Sequence, residues 1–127
     1  MAINIQQALG IHPEALKLRA ERVKILASNL ANESTPGYQA RDIDFAASLQ
    51  QALAQKAQGT AADGGSALGN AGPELLYRVP NLPSQDGNTV ELGVEQAAFS
   101  QNASDFQASM TFINLTLRDI AKAIQGQ

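Results

Sequence analysis

The sequence predicts an all-α chain in which long N- and C-terminal helices pair as a coiled coil, joined by a short irregular middle with a flexible Gly/Ala loop. Three observations lead there: an unbroken apolar seam near the C-terminus, two apolar series near the N-terminus, and turn chemistry in the residues between them.

The C-terminal pattern is the strongest. Phe99, Ala103, Phe106, Met110, Ile113, Leu117, Ile120 and Ile124 alternate spacings of four and three, the a/d seam of a coiled coil. The helix can start as early as Glu91, because Leu92 is in register, although Gly93 and Gln96 weaken that end. Met110 is expected in the packed seam, where its flexible thioether fills space beside Phe106. Phe112 and Leu115 fall off the seam and leave apolar surface for a neighbour.

The N-terminal helix is expected from Gln6 or His12 to Leu30. Leu9, Leu16, Val23 and Leu30 recur every seven residues, and Ile11, Leu18 and Ile25 form a second series nearly opposite the first at about 100° per residue. Glu14, Lys17, Glu21 and Lys24 fill one flank between them. One stripe suffices for a surface helix, so the second implies a second packing surface, on another molecule or within the same domain. From Phe99 to Ile124 a helix spans about 39 Å, and from Leu9 to Leu30 about 33 Å, so the two can pair antiparallel within one subunit.

Between them, helix propensity gives way to turns. Pro36 pushes Thr35 out of the helical region, and Pro36-Gly37 suits a type II turn with Gly at positive φ, so the first helix ends near Asn32. Asp42 or Asp44 is expected to cap a short helix with Phe45, Leu49 and Leu53 on its apolar edge. Ala57 to Gly72 reads as a flexible loop, Leu75 to Val79 as a short extended piece halted by Pro80 and Pro83, and Asp86-Gly87-Asn88 as a turn. The organisation is a single subunit over 1–127, with an N-terminal helical part (1–33), a turn, short helix and loop (34–88) and a C-terminal helical part (89–127).

Composition narrows the function. The 127 residues are 44% hydrophobic but only 5% aromatic, an inventory suited to thin helices. A net charge of −3 and scattered Lys and Arg give no track for phosphates, which argues against a nucleic-acid partner. Without cysteine there is no disulfide or thiolate chemistry. No run reaches the roughly 18 apolar residues of a membrane span, and Lys17, Arg19, Glu21, Arg22 and Lys24 interrupt any secretory h-region in the first helix.

Catalytic candidates are sparse. His12 stands alone and reads as a surface or cap residue, while Asp42 and Asp44, two apart, fit capping and turn bonds better than an acid/base or metal pair. Gly64-Gly65 lacks the Gly-Lys-Ser/Thr of a phosphate cradle. No enzyme, metal or cofactor is expected. Tyr38 either pins the turn to the helices or meets another subunit.

The stretch Ile25-Leu26-Ala27-Ser28-Asn29-Leu30-Ala31-Asn32, followed by Thr35-Pro36-Gly37-Tyr38, resembles the signature of the flagellar axial proteins of the rod and hook. Gln39 to Phe45 and Asp86-Gly87-Asn88-Thr89-Val90 resemble the proximal-rod branch of that family in particular. The resemblance makes Asn29, Asn32, Thr35, Pro36, Gly37 and Tyr38 a family turn motif. It implies a structural rod subunit, exported through the flagellar type III apparatus without a cleaved signal peptide and assembled in the periplasm. It further implies terminal helices lining an axial channel, with copies of itself, other rod proteins, the rod-base adaptor, the MS ring and the export gate as partners. Leu9, Leu16, Leu18, Val23, Ile25 and Leu30, with Phe99, Phe106, Met110, Phe112, Ile113, Leu115, Leu117, Ile120 and Ile124, are then the helix-packing residues of subunit interfaces. The alternatives are a small soluble coiled-coil adaptor and a sister rod subunit of the same family.

Overall fold

The computed structural model describes residues 5–57 and 73–126. In chain order the elements are α1 (Ile5–Leu9), α2 (His12–Ala31), β1 (Arg41–Ile43), α3 (Phe45–Ala57), β2 (Leu75–Tyr77) and α4 (Leu92–Gln125). Of the loop expected over Ala57 to Gly72, Ala57 closes α3 and the rest lies outside the described residues.

The N-terminal helix is broken once, at Gly10, whose φ of 59° only glycine adopts without strain. Pro13 then sits in the first turn of α2, where its missing amide hydrogen costs nothing. Asn32 ends α2 through its amide bonds to the Ser28 and Asn29 carbonyls. The expected turn follows, closed by the Tyr38 amide on the Thr35 carbonyl at 3.2 Å, with Gly37 at φ 71°. Asp44, not Asp42, caps α3, its Oδ1 accepting from the Ala47 amide at 3.0 Å.

An all-α architecture is expected, and here the structure differs. Arg41, Asp42 and Ile43 pair antiparallel with Tyr77, Leu76 and Leu75, making a two-stranded sheet. Three residues are too few to display a period of two, and the pairing is far apart in sequence, so no local pattern announces it. The Arg78 amide extends the ladder to the Ala40 carbonyl at 2.9 Å.

α2 and α4 run antiparallel in one register. Asn29 meets Glu95, Arg19 meets Asp105 and His12 meets Phe112, so ten residues down one helix match ten up the other, and the next seven match seven. α4 has 34 residues against 20 in α2, so residues 113–125 continue about 20 Å beyond the start of α2, on the side where α1 packs against α4.

The face that α2 turns inward lies between its two apolar series. Ala15, Leu26 and Asn29 are buried there with the half-buried Arg19 and Arg22, while Leu9, Leu16, Val23, Leu30, Leu18 and Ile25 are half-buried to either side and Ile11 is exposed. On α4 the buried residues are Glu95, Asn102 and Ser109. Phe99, Phe106, Ile113 and Ile120 flank them half-buried, whereas Ala103, Met110, Leu117 and Ile124 are exposed, the last two because they lie beyond the start of α2. Met110 is therefore not the core residue expected: it is 42% exposed, because α4 meets α2 along a line rotated away from the a/d seam.

Candidate functional site

The polar groups converge where the end of α2, the start of α4 and the β1–β2 pair meet. Asn29 is fully buried and uses every hydrogen-bonding position of its amide. Its Nδ2 donates to the Arg41 carbonyl at 2.7 Å and to Glu95 Oε2 at 3.0 Å. Its Oδ1 accepts from the Arg41 amide at 3.2 Å and from the Tyr38 hydroxyl at 3.4 Å. Tyr38 also lies 3.1 Å from the Ser28 hydroxyl, so within the subunit its ring pins the turn onto α2.

Asp42 stands next to this centre. Arg22 grips it with two parallel bonds of 2.8 Å and Arg78 adds a third of 2.6 Å. Arg78 Nε in turn lies 3.3 Å from Glu95 Oε1, an ionic contact without hydrogen-bond alignment. Burial opposes the Asp42 charge, but the Arg22 bonds, the Ile43 amide and the charges of Arg22 and Arg78 outweigh it and hold the carboxyl below its ordinary value. The same bond to Asp42 raises Arg22, against the cost of its desolvation. Asp42 is thus the anion that ties α2 to the segment after β2, rather than the helix cap or acid/base partner considered from sequence.

The two turn signals, about fifty residues apart, form one clamp. The Gly37 amide donates to the Asp86 carbonyl at 2.9 Å, and a Cβ at Gly87 would lie 3.7 Å from the Gly37 Cα, so the turns touch backbone to backbone. Asn88 Nδ2 lies 3.0, 2.7 and 2.9 Å from the carbonyls of Asn32, Glu33 and Thr35 and so holds the turn that follows α2. The Thr89 amide bonds the Tyr38 carbonyl, and Thr89 Oγ1 accepts from the Ala40 amide at 2.7 Å. Of the motif residues, Asn29, Asn32, Thr35, Gly37 and Tyr38 make these joints. Thr35 bonds Asn32 Oδ1 at 3.1 Å, and Pro36 stands exposed at the bend.

Sequence reasoning placed Asn29, Tyr38 and Asn88 in motifs but missed Arg19, Arg22, Arg78, Glu95 and Asn102. One signal was present: Ala15, Arg19, Arg22, Leu26 and Asn29 share a helical face at spacings of four and three, hidden by the stronger apolar series beside it. His12 proves half-buried and stacked on Phe112 at 5.2 Å. Among the described residues no group of three or more His, Cys, Asp or Glu could hold a metal, and no helix is long and apolar enough to cross a membrane.

Polar side chains spent on clamping the chain to itself, with apolar series left on the outside, define a helical building block. A family model described as flagella basal body rod protein matches residues 9–39. The chain is 40% identical to the flagellar basal body rod protein FlgB of Salmonella typhimurium, over 99% of both chains. It is 44% identical to that of Cereibacter sphaeroides over 94% of both, and 36% identical to that of Escherichia coli over 99% of both. The chain belongs to the flagellar basal body rod protein family. It is a structural component of the flagellar basal body, not an enzyme.

Proposed function

We propose that the chain polymerises as a proximal-rod subunit through the apolar faces of its terminal helices, which pair as coiled coils and form part of the drive shaft and export channel. The observation that carries this is the bare apolar overhang of α4. Where α4 lies on α2 its inward line holds Glu95 and Asn102, both 0% exposed, while Leu115, Leu117 and Ile124, beyond the start of α2, are 49%, 42% and 69% exposed. An isolated helix end with that much apolar surface in water is unfavourable, and covering it with another molecule recovers about 25 cal/mol for each Å2 buried. Heterologous contacts of this kind, repeated without closing, build a helical array.

The C-terminal overhang of α4, α1, and the outer series of α2 at Leu18 and Ile25 supply the packing surfaces. Copies of the chain and other rod proteins are the direct partners in this reading. The rod-base adaptor, the MS ring and the export gate are contacts suggested by the family. Assembly takes place in the periplasm after export without cleavage of a leader, which N-terminal sequencing of rod-borne protein tests.

Leu115→Asp and Leu117→Asp place a carboxylate on the overhang of α4, on two sides of the helix, without touching the clamp. Both variants should express and fold as the parent does, yet fail to enter the rod and abolish swimming in a strain lacking the parent gene. Normal motility in both would remove the α4 overhang from the assembly.

A further inference from the structure

The apolar series cannot by themselves decide how α2 and α4 meet. Those of α2 repeat every seven residues, as do those of α4, so sliding one helix past the other by seven residues sets apolar groups against apolar groups again. The side chains along the inner line carry the polar differences from one heptad to the next: Glu95, Asn102 and Ser109 on α4, and Ala15, Arg22 and Asn29, with Arg19 and Leu26 beside them, on α2.

We propose that Asn29 with Glu95, and Arg19 with Asn102 and Asp105, are the pairing-specificity residues of this chain, which fix the single antiparallel register of α2 and α4. Arg19 Nη1 bonds Asp105 at 2.9 Å, and Asn102 Nδ2 bonds the Arg19 carbonyl at 2.9 Å, so one residue of α2 is read twice by α4. A slip of seven residues one way sets Asp105 opposite Leu26 and carries Glu95 past the end of α2. A slip the other way sets Asn102 opposite Ala15 and parts Asn29 from Glu95. Either move leaves a buried charge or amide without its partner.

The ladder is also weaker than it need be. Arg19 Nε and Asn102 Oδ1 are buried without a hydrogen bond, and Glu95 Oε1 has only the ionic contact with Arg78. An interface shaped for strength alone would carry Leu at Asn102. Buried polar groups at its centre, where apolar ones would fit, suit a seam that discriminates between registers at the expense of stability.

This inference rests on the α2–α4 pairing and not on the rod interface, so it is tested on the isolated full-length subunit. The chain has no cysteine, so Ala27→Cys and Gln107→Cys, both at exposed positions, can carry a pair of spin labels. The parent should give one narrow interlabel distance by pulsed electron resonance. Asn102→Leu should add a second population, displaced by about 10 Å along the axis, the length of seven helical residues. If circular dichroism finds that variant unfolded, Asp105→Asn, which keeps the shape and removes the charge, should give the same second population. Met110→Leu on the outer face should leave the single distance unchanged. One narrow distance in a folded Asn102→Leu, or in Asp105→Asn, would overturn the proposal.

Discussion

Asp42 carries more of the subunit's internal order than its position in a turn suggests. Its carboxylate is 19% exposed, and the two guanidiniums on it come from Arg22 in α2 and from Arg78 just after β2. Asp42→Asn keeps the shape but removes the charge that both cations face, and should cost about 2–3 kcal/mol in urea unfolding at pH 7. The sign of the pH dependence follows from the lowered pKa. A carboxyl depressed in the folded state contributes fully above its unfolded value of about 4 and loses that contribution as pH falls through the folded value. The gap between parent and Asp42→Asn should therefore be widest near neutrality and close below about pH 4. A gap that stays constant down to pH 2.5 would show that Asp42 acts by shape alone.

At the level of elements, the ends of helices are organised by residues distant in sequence. Asn88 Nδ2 shares its two N–H bonds among three carbonyls of the turn that follows α2, and Asn88→Ala should lower stability by about 1–2 kcal/mol, because water can replace part of what is lost. Hydrogen exchange should locate the change in that turn, with α3 unaffected. The elements themselves were largely legible in sequence. Seven-residue series, the Pro36-Gly37 bend, the Asp44 cap ahead of Phe45 and the start of α4 at Leu92 all depend on near neighbours, which a local pattern records. The β1–β2 pair was not, since its partners are more than thirty residues apart and only three residues long. Nor was the direction in which each helix faces. Apolar periodicity identifies a stripe that will be covered, but not by what. Here the subunit covers the polar arc between two stripes and leaves the outer series of α4 bare.

For the whole molecule, that division is the physical basis of the assembly proposed above. The clamp of Asn29, Asp42, Asn88 and Glu95 holds turns, strands and helices together within one copy, and in that proposal the apolar overhang of α4 is left for neighbours. A single unpaired apolar helix face binds promiscuously, and a register fixed by polar rungs keeps it presented in one geometry. In the proposed assembly the apolar overhang of α4 is free in one copy and covered in the rod. Thiol reactivity at Leu117→Cys, in a chain that otherwise contains no cysteine, measures this directly. Maleimide should modify the isolated subunit fast, with strong protection in purified basal bodies. Equal reactivity in the two states would contradict that assembly.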